Sequence, residues 1–398
     1  MKKLILTLIF ALFICTNIYA GEIVQPKIAA QGAVLMDAKT SRVLWERNSQ
    51  MPLAMASTTK IMTAIIALEN GNLADTVTVS KRAASAPEVN MNLVSGEKLT
   101  LEALLYALML QSHNDSAVAI AEHVGGNVEN FCAKMTEKAK ELGALDTVFE
   151  TPNGLDAGNH HSTAYDMALI TRYALQNEKF MDIINTAQIT VHSDRRTFDL
   201  YNKNRLLSEY SGANGVKTGF TGKAGQCFIG AAQRDGMQLI SVVLASGWGD
   251  AGKEQKWIDT KHLLDYGFGN YKYIDLLTEG DICSNINIAH TKFPLVAVAL
   301  EKGLTLPLNT DEMATVKIQY KIPDTVMAPV EKGQIMGVCT VTMGDELIAN
   351  INLLAQSSSP RHDLATSLKK ILREWTQMGT NGEIPMENFL FSDWQKQY

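Results

Sequence analysis

Helical periodicity in this chain of 398 residues stops near Ile274, and that break constrains the fold more than any single motif. Before it, strand-like and helix-like segments interleave. Residues 29–44 read as strand, turn, strand, with Asp37-Ala38-Lys39-Thr40 as the turn. Across residues 57–69, Ile61, Met62, Ile65, Ile66 and Leu68 recur at helical spacing, and Asn70-Gly71 reads as the cap that closes the helix. Residues 99–110, 115–123 and 165–175 are further helical stretches. Residues 227–232 and 239–245 read as strands joined by the Arg234-Asp235-Gly236 turn, and 257–264 as a helix ending before Tyr266-Gly267. Strands that bracket a block of helices predict an α+β domain, an antiparallel sheet covered by helices. Beyond the break, residues 316–322 alternate apolar and charged side chains, and Gly303, Gly333 and Gly344 mark turns, which predicts a small all-β domain.

The two ends depart from this pattern. Lys2 and Lys3, a nearly unbroken apolar run over residues 4–14 and a small-residue cut at Tyr19-Ala20-Gly21 read as a secretory signal peptide over residues 1–20, so the protein is expected to be exported. The run is short for a bilayer span, and Ile14 is bulky where a lipoprotein site before Cys15 has a small residue. Without the signal, 34 basic side chains stand against 42 acidic ones, a net of −8. That balance excludes a nucleic-acid binder, which needs a basic surface to neutralise phosphate. Cys132, Cys227, Cys283 and Cys339 are scattered singly, so neither a zinc site nor a dense disulfide framework is predicted. At the other end, Ser357-Ser358-Ser359-Pro360 opens an amphipathic helix with Leu364, Leu368, Ile371, Leu372 and Trp375 on one face. The predicted segments are therefore a signal over 1–20, a mixed domain over 21–273, a β-rich domain over 274–356, and a helix and tail over 357–398.

Three short motifs carry chemistry. Ser57-Thr58-Thr59-Lys60 places a hydroxyl and an amine three residues apart on one helix face, within reach of each other. A serine needs a base to become a nucleophile, and Lys60 is one if burial or a nearby cation lowers its pKa. The match is weak by itself, because Ser367-Leu368-Lys369-Lys370 fits it too and reads as a surface helix. Ser112-His113-Asn114 lies between two helical stretches, and Lys217-Thr218-Gly219 just before the Cys227 strand. There Lys and Thr supply donors, and the glycine lets a substrate backbone lie against the strand edge. Alone, each reads as a polar loop or strand end. Together, in this order and separated by 55 and 105 residues, they match the signature of penicillin-recognising serine enzymes.

From about Ala29 to Leu354 the chain resembles the low-molecular-mass penicillin-binding proteins, the D-alanyl-D-alanine carboxypeptidases of bacterial envelopes. The likeness includes ASTTKIMTA, SHNDSAVAIAEH, TPNGLD with HSTAYDMA, GVKTGFTGKAGQC and KHLLDYGF. It implies a β-lactamase/transpeptidase-like catalytic domain that removes the terminal D-alanine from peptidoglycan stem pentapeptides and is acylated by β-lactam antibiotics. By the same resemblance, Ser57 attacks the D-Ala-D-Ala carbonyl, Lys60 is the base, and Ser112 relays a proton to the leaving amine with help from Lys217. Asn114 holds the substrate amide. Lys217, Thr218 and Thr221 face the terminal carboxylate around Gly219, and the N–H groups of Ser57 and Phe220 form the oxyanion hole. Neither a cofactor nor a metal is implied. The last helix resembles the family's membrane anchor, lying in the interface of an anionic membrane, and its window 361–378 carries four basic against two acidic residues. The alternative is a helix packed on the β domain, and the tail beyond 378 has no counterpart in the resemblance.

There are departures and rivals. His113 stands where the middle motif often has glycine, and reads as a bystander. Gly252-Lys253-Glu254 occupies the region where the family often has an arginine, and lysine lacks the bidentate contact. His160-His161 has no evident third ligand, and reads as loop and packing. A β-lactamase shares the three motifs but also needs a glutamate for deacylation, and no E-x-x-L-N stretch lies between Ser112 and Lys217. A non-catalytic peptidoglycan-binding envelope protein would have no chemical need for Ser57, Lys60 and Lys217 together.

Overall fold

The computed structural model describes residues 23–362 and, beyond them, Ala365, Leu368, Lys369, Ile371, Leu372, Arg373 and Trp375. The signal peptide and the tail past residue 378 lie outside the described residues. The chain forms two compact units. One comprises the residues up to Tyr273 with Pro307–Thr310, the other Ile274–Leu306 with the chain from Asp311.

The first unit is built on a five-stranded sheet of β1 (Gly32–Asp37), β2 (Val43–Arg47), β3 (Ala213–Thr221), β4 (Gly225–Arg234) and β5 (Met237–Leu244). Their order is β2-β1-β5-β4-β3, and every adjacent pair is antiparallel. Successive side chains of a strand point to opposite faces, so one strand feeds two cores. Val34 and Met36 of β1 pack on the side of α1 (Lys60–Asn70) and α2 (Asn114–Gly125), whereas Ala33 and Leu35 pack with Phe228, Trp257 and Leu263 on the other. Helices cover both faces, which is why apolar side chains of β1 and β5 fall on both faces instead of alternating with polar ones, with Asp37, Gln238 and Ser241 the exceptions.

Several local readings change. Lys217-Thr218-Gly219 lies inside a strand, β3, which is the sheet's edge. The helix α3 (Gly249–Asn270) runs through Tyr266-Gly267. A Cβ on Gly267 would come within 2.5 Å of Leu239 and 2.9 Å of Leu35, so this glycine lets the helix lie against the sheet. Gly71 does cap its helix as expected, in an extended conformation, and a Cβ there would sit 2.4 Å from Leu101. Both glycines answer to packing, which local pattern does not reveal.

The second unit carries a six-stranded sheet. Its strands are β6 (Ile282–Ala289), β7 (Leu295–Leu300), β8 (Val316–Lys321), β9 (Thr325–Met327), β10 (Ile335–Met343) and β11 (Glu346–Ala355), in the order β8-β10-β11-β7-β6-β9. All pairs are antiparallel except β6 with β9. Val296, Val298, Val341, Ile351 and Leu353 form its core, and one helical turn, Thr310–Met313, interrupts the expected all-β stretch.

Asp259 on α3 ties the start of the first unit to its sheet. It accepts from the N–H groups of Ala29 (3.0 Å) and Ala30 (2.9 Å), the Ser246 hydroxyl (2.5 Å) and Gln255 Nε2 (2.8 Å), and it is fully buried. Asp259→Ala strands these donors, and the expected loss is about 3 kcal/mol of stability, measured by urea unfolding.

Candidate active site

The turn that carries Ser57 is more tightly wound than the expected helix start. Ala56–Thr59 forms a 3₁₀ turn, in which residues three apart eclipse, and α1 begins only at Lys60. Ser57 and Lys60 are thus stacked, with Lys60 Nζ 2.8 Å from Ser57 Oγ. The turn is entered through Ala56 at φ +47, a left-handed conformation that costs an ordinary residue about 1–2 kcal/mol. Ser57 is partly exposed, while Lys60 is fully buried.

The Lys60 amine has two more partners, Asn114 Oδ1 at 2.8 Å and the Asn153 carbonyl at 2.5 Å. Both oxygens can only accept. Burial, and then the charge of Lys217, hold the Lys60 pKa well below its ordinary value, against a smaller opposing pull from Asp115. A neutral amine has two N–H groups and one lone pair. Such an amine can satisfy both carbonyl oxygens and still turn its lone pair to the Ser57 proton. Among the described residues no carboxylate lies within hydrogen-bonding distance of Ser57 or Lys60.

Asn114 opens α2, and its amide is used at both ends: Oδ1 on Lys60, Nδ2 on the carbonyls of Pro87 (3.0 Å) and Glu88 (3.1 Å). Next to it, Asp115 accepts from the N–H groups of Met91 and Leu93, which pins residues 86–93 beside the site. Ser112 follows a π-helical turn, Ala107–Gln111, and is left-handed (φ 68). Such turns recur at functional sites because they re-aim the chain. The neighbouring His113 is buried with Nδ1 unpartnered among the described residues. Burial, and the charges of Lys203, Lys60 and Lys217, push its pKa down to about 3, so the imidazole is neutral.

β3 brings the third motif against the nucleophile turn. A Cβ at Gly219 would stand 3.0 Å from Ser57 N and 3.1 Å from Ala56 Cβ and Thr58 N. Lys217 is buried with Nζ on the Thr218 carbonyl (3.0 Å), and burial, then Lys203 and Lys256, lower its pKa to about 7. Phe220 is exposed. Thr221 is differently placed from expectation. Its hydroxyl donates to Asp156 Oδ1 (3.1 Å) and accepts from the Ala224 N–H (3.0 Å), so its proton is already committed.

Four features escape the motif reading. Lys203 and Lys256 join Lys217 in a cationic cluster, and Lys256 reaches Gln226 Oε1 at 2.5 Å on the strand paired with β3. Lys253, read from sequence as the cation of this region, is instead exposed and paired with Asp250. The Asn153 carbonyl and Asp156 both come from the TPNGLD segment. Gly154 is required there: it has φ +85, and a Cβ would lie 2.0 Å from the Ala56 carbonyl oxygen.

Comparison with known proteins places this geometry. The profile of a family described as D-alanyl-D-alanine carboxypeptidase matches residues 20–247, and that of the penicillin-binding protein 5 C-terminal domain matches 271–361. The chain is 33% identical over 356 residues to the D-alanyl-D-alanine carboxypeptidase DacF of Bacillus subtilis, covering 87% of this chain and 90% of that protein. It is 30% identical to DacA of Haemophilus influenzae, covering 83% and 85%. Its fold is similar to crystal structures of penicillin-binding protein 5 from Haemophilus influenzae, with a TM-score of 0.71, 28% identity, and coverage of 85% of this chain and 100% of that one. The chain belongs to the D-alanyl-D-alanine carboxypeptidase family of low-molecular-mass penicillin-binding proteins. It is a serine peptidase acting on peptidoglycan, and its family interacts with β-lactams.

Gly219 tests how closely strand and nucleophile must approach. Gly219→Ala is expected to slow acylation by penicillin about 100-fold while leaving thermal stability within a few degrees, measured by stopped-flow quenching and calorimetry.

Proposed function

We propose that Ser57 is the nucleophile and Lys60 its general base in removal of the terminal D-alanine from stem pentapeptides. The observation that carries this reading is the Lys60 amine, buried, 2.8 Å from Ser57 Oγ and otherwise bound only to carbonyl oxygens. Lys60 takes the Ser57 proton as Oγ attacks the penultimate D-alanine carbonyl. The N–H groups of Ser57 and Phe220 hold the resulting oxyanion, a contribution of about 3 kcal/mol per donor in comparable enzymes. Ser112, whose hydroxyl makes no hydrogen bond to a described residue, is free to pass a proton to the leaving amine. Asn114 orients the peptide amide.

In this reading, Lys217 anchors the terminal carboxylate beside Thr218, with Lys203 and Lys256 adding to the local field. Thr221 joins only by releasing Asp156. Water then cleaves the ester, and penicillins stop at the acyl-enzyme. Among the described residues no carboxylate hydrogen-bonds Ser57, which favours carboxypeptidase over β-lactamase chemistry.

We also propose export through residues 1–20, a catalytic domain over 21–273, a β-rich domain over 274–356, and peripheral contact of the last helix with an anionic membrane. The exposed side chains of Leu368, Ile371, Leu372 and Trp375 support that contact.

Two measurements test the chemistry. Mature protein should release free D-alanine from a peptide ending in D-Ala-D-Ala, and Ser57→Ala should release none. Release by both would remove Ser57 from the mechanism. The pH profile supplies the sign of each lysine's role. Lys60 must be neutral, so kcat/KM falls as pH drops through its lowered pKa. Lys217 must be charged, so kcat/KM also falls as pH rises past about 7. A peptide with an amidated terminus should lack the alkaline limb, and its persistence there would assign that limb to another group.

A further inference from the structure

His160 lies in none of the three motifs, yet its imidazole is 5% exposed and fully engaged. Nδ1 accepts the Glu150 N–H at 3.0 Å, so it carries no proton. The neutral ring is therefore protonated on Nε2, which sits 2.9 Å from Thr59 Oγ1 and donates to it. The Thr59 hydroxyl in turn sends its proton to the Ala56 carbonyl oxygen, at 2.8 Å. The reverse polarity would need a proton on Nδ1, facing the Glu150 N–H. Only one arrangement satisfies every atom.

The end of this chain is the informative part. The Ala56 carbonyl and the Ser57 N–H belong to one planar peptide and point in opposite directions. Ala56 is left-handed, a conformation that persists only where its surroundings hold it. Gly154 packs flat against the carbonyl from one side, and Gly219 stands against Ser57 N on the other. A hydrogen bond to a peptide oxygen also polarises the same peptide's N–H, strengthening it as a donor. Edge-on contact with Phe149, with centroids 5.9 Å apart, holds the ring itself in place. Burial, then His161 and Lys223, lower the pKa of His160 to about 4, which keeps the imidazole in its neutral form at working pH.

We propose that His160 is a positioning residue of the oxyanion hole: through Thr59 and the Ala56 carbonyl it fixes the plane of the Ala56–Ser57 peptide, and with it the direction of the Ser57 N–H. The inference rests on the reading above that the Ser57 N–H is an oxyanion donor.

The test pairs kinetics with the infrared carbonyl frequency of the penicilloyl-enzyme, which falls when oxyanion donors polarise the ester. The variants are His160→Phe, which fills the space without the hydrogen bond, and Thr59→Val with Thr59→Ser, which remove and retain the relay hydroxyl. His160→Phe and Thr59→Val should acylate about tenfold more slowly, with KM for the peptide within about twofold of wild type and the ester band shifted to higher frequency. Thr59→Ser should restore both rate and band. Wild-type rate and frequency in folded Thr59→Val, or equal losses in Thr59→Ser and Thr59→Val, would overturn the proposal, whether or not His160→Phe folds. An unpolarised ester in the wild-type acyl-enzyme would instead overturn the oxyanion reading beneath it.

Discussion

Moving an ammonium group out of water costs several kcal/mol unless an opposite charge or hydrogen bonds replace its hydration. Lys60 ends in the interior of the first unit, wholly buried, with another lysine, Lys217, as the charge that acts on it most strongly. Its partners are two carbonyl oxygens and one hydroxyl, with no counter-ion among them, and a neutral amine there can turn its lone pair to the Ser57 proton. The surrounding architecture serves that placement. The 3₁₀ turn stacks Lys60 on Ser57, the start of α2 supplies Asn114, and the TPNGLD segment supplies the Asn153 carbonyl. Gly154 is the residue that lets this segment approach so closely.

The arrangement of the cations suits the two roles proposed for them, Lys60 as base and Lys217 as anchor. Lys217 helps depress Lys60 and is itself depressed by burial and then by Lys203 and Lys256, so positive charge accumulates near β3 with no acid among the described residues paired to Lys217. A bound carboxylate relieves that repulsion. In the proposed reaction the substrate carboxylate would stabilise the charged form of Lys217 and ease part of the pressure on Lys60 as Lys60 takes up the Ser57 proton. Thr221, at the end of β3, is held apart from this cluster by the hydrogen bond from its hydroxyl to Asp156.

The sequence made the catalytic triplets and the class of fold legible, for different reasons. Ser57 and Lys60 are adjacent through local helical geometry, and the change of periodicity near Ile274 is a pattern of side chains alone. The motif order then linked Ser112, Asn114 and Lys217, which lie far apart along the chain. What stayed hidden depends on main-chain atoms or tertiary packing. The Asn153 carbonyl carries no side-chain signature, and Lys256 outranks Lys253 only because of which way α3 faces the sheet. Gly267 looked like a helix stop because its packing against Leu35 and Leu239 is non-local. His160 looked like packing because its chain of hydrogen bonds joins residues about a hundred positions apart.

The protonation state of Lys60 is the central claim, and NMR titration of ε-¹³C-labelled lysines addresses it directly, with Lys60→Arg to assign the signal. The account predicts a Lys60 resonance that moves from the ammonium to the neutral-amine range well below the ordinary lysine pKa of 10.5. A resonance that stays in the ammonium range through pH 9 would contradict it, and would require another group to take the Ser57 proton.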